Sequence, residues 1–153
     1  GKKKAIAAGH ICLDITPAFK SEGRKKHQKT FSDGATNRNG CGQSKSWRIG
    51  IQHRCCMKRL GADVELMGMV GDDAFGQMVS NELEKNGASP ESMIVRKGVG
   101  TSYSVILAPA GIDRIFLHCS GANDTFTLDD IDLEKVKGAN LFHFGYPSLM
   151  RKM

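Results

Sequence analysis

The sequence contains no long hydrophobic run. No segment comes near the run of about 18 apolar residues that a membrane-spanning helix requires. The opening residues, GKKKAIAAGH, also lack the long apolar stretch of a secretory signal peptide. These absences argue against a membrane protein and against a secreted one. We therefore predict a cytoplasmic chain with no membrane partner, and we expect no disulfides among its five cysteines.

The basic charge is concentrated in one interval. The chain has 153 residues, 40% of them hydrophobic, which is enough for one domain with an ordinary core. Its net charge is +6, yet residues 20–59 alone hold eleven Lys and Arg against two acids. That interval also holds three of the five cysteines and shows almost no aliphatic periodicity. Its composition differs from that of the rest of the chain.

The basic interval allows one function from a different class. Its Lys and Arg side chains would contact phosphates in a nucleic-acid-binding module, with Trp47 or Phe31 stacking on bases. A charged segment with few aromatics is more often simply solvated. We therefore predict no nucleic-acid partner, and we keep a binding module at residues 20–59 as the alternative function.

A metal site is the second possibility that the interval raises. Its potential ligands are Cys41, His53, Cys55 and Cys56. Their spacing matches no zinc pattern, since adjacent cysteines chelate one tetrahedral ion awkwardly. We predict no metal site. We interpret the strand histidines as hydrogen-bonded structural residues rather than ligands; these are His10, His118 and His143.

Residues 61–87 predict a buried strand, a turn and a helix in succession. The apolar run within residues 64–70 is typical of a buried strand, and Gly71 begins the turn. Asp72 or Asp73 is positioned to cap the helix, and Gly87 occupies the place where a helix ends in the left-handed conformation. The residues expected to form the apolar face of the helix are Phe75, Met78, Val79 and Leu83.

Strand and helix patterns alternate through the rest of the chain. Lys4–Asp14 is predicted as one strand that ends in a carboxylate, at the edge where open α/β sheets bind ligands. Segments 102–108 and 114–119 form a predicted hairpin, and Thr127 with Asp130 forms a capping box. The other expected features are a short strand at 92–96, a helix face of Leu128, Ile131, Leu133 and Val136, and a last strand at 140–146. The pattern favours an α/β fold with a mostly parallel sheet flanked by helices.

Several motifs follow one another in a characteristic order. They are Asp14, the Leu60-Gly61-Ala62 sequence, Gly68 to Gly76, the 101–119 hairpin, Gly121-Ala122-Asn123 and the closing strand. This order resembles the N-terminal half of the ribokinase-like (PfkB-type) carbohydrate kinases, over about three quarters of the chain. The resemblance implies an incomplete ribokinase-like fold with a small antiparallel β lid, whose strands lie near residues 15–46 and 101–119.

The family's Gly-Gly-x-x-x-Asn motif is missing at its expected place. The residues in that window are 47–56, WRIGIQHRCC. Back-translation with a one-base shift permits Gly-Gly-Ser-Val-Ser-Asn-Thr-Gly-Ala-Ala there, which restores both glycines and the Asn. We therefore hypothesise that residues 27–56 are a frame-shifted segment, and we treat their contribution to the fold as doubtful.

The resemblance implies site residues for a sugar. In the family, a carboxylate after the first strand binds sugar hydroxyls, which assigns this role to Asp14; otherwise Asp14 is a solvated strand end or a turn cap. Tyr103, Val105 and Asn123 are further predicted substrate contacts, with strand packing or a simple turn as the alternatives. The predicted structural turn consists of Gly71, Asp72 and Gly76.

The resemblance also implies ATP-dependent phosphorylation of a sugar or sugar-like hydroxyl, with ATP and Mg2+ as cofactors of the full-length enzyme. Family members act on ribose, fructose, keto-deoxy sugars, sugar phosphates and nucleosides. The family's Gly-Ala-Gly-Asp anion hole and its nucleotide site do not occur in these 153 residues. We expect residues 1–153 to be the N-terminal, sugar-binding portion of the kinase domain, with no catalytic residue, no bound cofactor and no activity alone. An exposed lid and uncovered strands favour a homodimer and low solubility.

Overall fold

Strands and helices alternate in the computed structural model, which describes residues 3–17, 63–88, 90–108 and 113–153. The strands are β1 (Lys4–Gly9), β2 (Leu13–Ile15), β3 (Asp63–Gly71), β4 (Met93–Arg96), β5 (Tyr103–Leu107), β6 (Ile115–Cys119) and β7 (Leu141–Gly145). The helices are α1 (Ala74–Lys85) and α2 (Leu133–Lys137). The predictions made for residues 20–59, including the frame-shifted segment and four candidate metal ligands, lie outside the described residues, as does most of the lid expected at 15–46.

Four of the described strands form a parallel sheet in the order β4-β3-β1-β7. Alternate residues of β1 supply two different cores, with Ala5 and Ala7 in one and Ile6 and Ala8 in the other. Helix α1 packs Val79 and Leu83 into the first core, and Phe126 and Ile131 lie in the second. The predicted α/β class with a mostly parallel sheet is confirmed.

The chain does not form the single strand predicted for Lys4–Asp14. β1 ends at Gly9, whose φ of 109° is a conformation that glycine adopts far more readily than other residues. After His10, Ile11 and Cys12, strand β2 begins and joins a different sheet. The prediction was wrong because the apolar pattern continues through the break, and Gly9 alone marks the bend. Asp14 therefore lies in the second sheet and not at the end of a strand of the parallel sheet.

The second sheet has the order β2-β5-β6. β5 and β6 pair as the antiparallel hairpin that the sequence predicts. β2 runs parallel to β5, however, so this small sheet is mixed and not wholly antiparallel.

The helix predictions hold in part. Asp73 caps α1, and Gly87 adopts a φ of 71° beyond its end, as expected. The Thr127 and Asp130 capping box is present, but it opens a short 3-10 turn, Leu128–Asp130, and α2 starts only at Leu133. Three residues that were predicted to lie on the apolar faces of helices are exposed instead: Met78, Leu128 and Leu133. None of the helices in the described ranges has both the length and the apolar character needed to cross a membrane.

Candidate functional site

The candidate site lies where the chain passes from the parallel sheet to the small sheet. Backbone hydrogen bonds hold this crossing at both ends. The His10 N–H donates to the Gly145 carbonyl over 3.2 Å, and the Leu13 N–H donates to the Ser102 carbonyl over 3.0 Å. The crossing therefore has a defined path, and the side chains that it carries are held in place.

Asn123 fixes the middle of this crossing. It is fully buried in the 3-10 turn Gly121–Thr125. Its Nδ2 donates to the Ile11 carbonyl over 2.8 Å, and its Oδ1 accepts from the Ile11 N–H over 3.2 Å. Buried backbone groups require hydrogen-bond partners. Ile11 lies between two strands, and the Asn123 side chain supplies partners for both its N–H and its carbonyl.

A row of polar side chains crosses the small sheet. Asp14 pairs in register with Ser104 on β5, and Ser104 pairs with His118 on β6. Since paired residues project to the same face of a sheet, the three side chains form one row. The Ser104 Oγ lies 2.9 Å from the His118 Nδ1, so the second and third members are hydrogen-bonded.

Cys12 joins this row from the crossing segment. Its Sγ lies 3.3 Å from the Ser104 Oγ and 4.0 Å from the His118 Nδ1. Burial raises the pKa of the Cys12 thiol, and the hydrogen bonds from Ser104 and Ser102 only partly oppose this effect. Cys12 is therefore held mainly as a neutral thiol.

Asp14 is half-buried on β2. Burial raises the pKa of its carboxyl group, while the hydrogen bond with Cys12 and attraction to His118 act in the opposite direction. A carboxyl group with hydroxyl, imidazole and thiol neighbours can exchange several hydrogen bonds with a polar ligand.

Tyr103 and Val105 are not brought to the same face as Asp14. Both residues flank Ser104 on β5, so their side chains project to the opposite side of the sheet. Tyr103 packs against the first core and meets the ring of Phe75 edge-on at 5.5 Å. Asn123 contacts the crossing through the backbone of Ile11.

The predicted structural turn follows β3. A Cβ at Gly71 would lie 2.0 Å from the Val99 carbonyl oxygen, and one at Gly76 would lie 2.2 Å from the Gly71 carbonyl oxygen. The Asp72 Oδ1 accepts from the Gly98 N–H over 3.0 Å. All three predicted residues therefore serve a tightly packed corner.

Asp73 ties this corner to the start of β5. It accepts from the Gly76 N–H as the helix cap and from the Thr101 N–H, each over 2.8 Å. Burial alone would raise the pKa of Asp73, but the hydrogen bonds from Thr101 and Gly76 outweigh it and lower that pKa. The Thr101 hydroxyl completes the link by accepting from the Gly71 N–H over 2.9 Å.

Sequence reasoning missed three members of the site: Cys12, Ser104 and His118. Ser104 is a small polar residue between Tyr103 and Val105, and His118 lies between Leu117 and Cys119. This alternation was the available signal, since polar residues at every second strand position share a face. The cross-strand register that joins them to Asp14 depends on β2, which the sequence did not separate from β1.

The parallel sheet, with a small mixed sheet beside its carboxyl edge, defines a ribokinase-like fold. A fructokinase from Xylella fastidiosa superposes with a TM-score of 0.65 at 18% identity, over 94% of this chain and 42% of its own. A proposed Ribokinase II from E. coli, solved with ATP and Mg2+, gives a TM-score of 0.67 at 18% identity, over 93% and 42%. At these identities the likeness concerns the fold alone.

Residues 50–151 match the family described as pfkB family carbohydrate kinase, and the chain belongs to that family. Among curated relatives, a fructokinase from Solanum tuberosum is 31% identical over 94 residues. That alignment covers 60% of this chain and 30% of the relative. The resemblance seen in the sequence is thus confirmed, and the matched part of the chain spans about 30% of the length of the plant fructokinases.

Proposed function

We propose that this chain supplies the sugar-binding portion of an enzyme that uses ATP to phosphorylate a sugar or sugar-like hydroxyl. The observation that carries the proposal is the row of Asp14, Ser104 and His118 across the small sheet. Membership of a carbohydrate kinase family supports sugar as the ligand class.

In this proposal Asp14 accepts hydrogen bonds from two neighbouring hydroxyls, because an ionised carboxylate offers two acceptor oxygens. Ser104 and His118 extend the polar face, since the hydroxyl can donate or accept and the imidazole can do either according to its tautomer. Ser104 itself is buried, so Asp14 and the exposed His118 are the members that a ligand can reach directly.

The other predicted substrate contacts are proposed in supporting roles. Asn123 holds the backbone that precedes Asp14, and its buried amide favours positioning over direct contact. Tyr103 and Val105 anchor the strand that carries Ser104, which is supported by the packing of Tyr103 on the first core.

Fructose is the first substrate to test. Several curated plant relatives are fructokinases, and the identity reaches 31%. Ribose and nucleosides are the next candidates, because a solved relative in fold is a nucleoside kinase in complex with inosine. The loop that the resemblance assigns to substrate choice falls in residues 47–56, outside the described residues.

ATP and Mg2+ are the proposed cofactors of the full-length enzyme. These 153 residues contain no Gly-Ala-Gly-Asp stretch to provide the anion hole and the base, so we propose that this chain alone neither holds the cofactors nor turns over substrate. We also propose a cytoplasmic location, with no membrane or nucleic-acid partner.

A homodimer through the small sheet completes the proposal. Among the strands that the structure describes, β6 lies at the edge of the small sheet, and its residues are exposed along their whole length. Ile115, Phe116 and Leu117 place apolar surface on that edge, with 43%, 55% and 57% of each residue exposed. Edge strands of this kind favour pairing with a second chain.

Amide chemical shifts of the isotope-labelled chain would test the binding function. D-fructose, D-ribose and inosine are titrated in turn, and we expect saturable shifts at residues 12–14, 104 and 118 for at least one of them. A coupled assay with ATP and the same ligand should show no turnover. Saturable, salt-sensitive shifts with a random oligonucleotide, and none with any sugar, would favour the nucleic-acid module instead.

A further inference from the structure

Three potential metal ligands come together beside the crossing segment. His10, Cys12 and His118 can each supply one ligand atom, and these three atoms lie within 4.8 Å of one another. The sequence separates His118 from the other two by more than 100 residues, so the fold alone creates the cluster. The imidazole rings of His10 and His118 lie with their centroids 5.4 Å apart and their planes tilted by 39°.

The backbone beneath all three ligands is fixed. The His10 N–H is bonded to Gly145, and Cys12 lies between Ile11, which Asn123 holds, and Leu13, which Ser102 holds. His118 stands at a register position of the β5–β6 hairpin. A site on rigid elements loses little freedom when it binds an ion, which favours affinity.

The donor set selects the class of ion. One thiolate and two imidazoles match the soft and borderline ligands that Zn2+ takes in tetrahedral sites, and they do not suit Mg2+ or Ca2+. Ligand atoms around tetrahedral Zn2+ are about 3.5 Å apart, so the cluster has to contract by about 1 Å. Rotation of the exposed His118 ring can provide this movement.

We propose that His10, Cys12 and His118 form a Zn2+ site that leaves the fourth coordination position to water. When the metal binds, the Cys12 thiol releases its proton to solvent and the sulfur donates an electron pair to the ion. No change in oxidation state occurs. This inference concerns the three side chains themselves and does not depend on the proposed sugar function.

Co2+ is the probe, because a cobalt–thiolate bond absorbs in the near ultraviolet and reports its sulfur ligand directly. The chain contains four other thiols, which could also bind Co2+. The parent protein for the test therefore has serine in place of each of them: Cys41, Cys55, Cys56 and Cys119. We expect this parent to bind one Co2+ per chain with the absorption of a single thiolate, and Zn2+ to displace it.

Further variants of this parent decide the assignment. Cys12→Ser should abolish the thiolate absorption. His118→Ala should weaken Co2+ binding about tenfold or more, since even outer-shell changes cost this much. His143→Ala, an exposed histidine on β7, is the matched control and should leave affinity unchanged. Circular dichroism verifies that each variant is folded.

The proposal is overturned if the four-serine parent shows no thiolate absorption with Co2+ while its circular dichroism is native. It is equally overturned if His118→Ala binds Co2+ as tightly as the parent. Because no sugar or nucleotide is present, neither outcome bears on the kinase proposal.

Discussion

The side-chain amide of Asn123 pairs with both backbone groups of Ile11, donating to its carbonyl over 2.8 Å and accepting from its N–H over 3.2 Å. Both residues are buried. The pair joins a turn late in the chain to the segment immediately before Asp14. The same two hydrogen bonds therefore stabilise the fold and hold the backbone that positions Asp14.

Asn123→Ala is expected to lower the free energy of unfolding by about 2–4 kcal/mol, because two buried backbone groups lose their partners. Asn140→Ala is the matched control, since Asn140 accepts from the Lys4 N–H over 3.0 Å at an exposed position. That change should cost about 1 kcal/mol or less. Urea unfolding measures both, and equal losses would contradict a special role for the buried pair.

Glu65 should govern part of the acid stability. It lies 2.9 Å from the Lys4 Nζ and 2.6 Å from the Lys135 Nζ, and it accepts from the Ser92 hydroxyl. Burial alone would raise the pKa of Glu65, but the hydrogen bonds from Lys135, Ser92 and Lys4 outweigh it and lower that pKa to about 2. Its stabilising contribution is complete above its unfolded value of 4.5 and is lost as the pH falls towards 2.

Glu65→Gln is therefore expected to destabilise the chain by about 1–2 kcal/mol at neutral pH, after allowance for solvent screening. The loss should shrink between pH 4.5 and pH 2. Glu134→Gln serves as control, because the Glu134–Lys137 pair is solvent-exposed and should change stability little. Thermal unfolding across this pH range checks the prediction, and a loss from Glu65→Gln that stays constant with pH would refute it.

Gly71→Ala should disrupt the corner after β3. The added Cβ would lie 2.0 Å from the Val99 carbonyl oxygen, and backbone atoms cannot move aside easily. We expect the free energy of unfolding to fall by at least about 1–3 kcal/mol, as it does at other overpacked sites. Gly138→Ala is the control, because its nearest neighbour would be 3.6 Å away and its φ is negative. Similar stability of the two variants would show that the corner has room for a side chain.

The coding DNA tests the frame-shift hypothesis. The family match begins at residue 50, so most of residues 27–56 lie outside it. We predict that a one-base offset near codon 27, reversed near codon 56, restores a Gly-Gly-x-x-x-Asn motif. If neither offset frame encodes that motif, the unusual composition of the interval needs another explanation.

Local signals predicted local features well. The hairpin, the Asp73 cap, the Gly87 helix end and the Thr127 capping box each depend on residues a few positions apart, and all are present. The length of the helix after Thr127 was wrong, because Leu128 and Leu133 follow helical spacing yet remain exposed. Spacing alone does not reveal which apolar residues find a partner.

The candidate site was predicted less completely, for a physical reason. Asp14 came from a family resemblance, whereas its neighbours Ser104 and His118 come from strand register between segments about 90 and 100 residues away. The bend at Gly9 and the Asn123–Ile11 pairing are likewise long-range features. Only the folded arrangement identifies them.

Amide-detected titration with D-fructose, carried out on the native protein and on Asp14→Asn, is the sharpest test of a sugar site at Asp14. Asp113→Asn, at an exposed carboxylate beside the hairpin, is the control. We expect saturable shifts around residues 12–14 for the native chain and the control, and binding that is about tenfold weaker or absent in Asp14→Asn. Fructose binding that is equally tight in Asp14→Asn, or that shifts no residue near Asp14, would rule out the proposed role of this carboxylate.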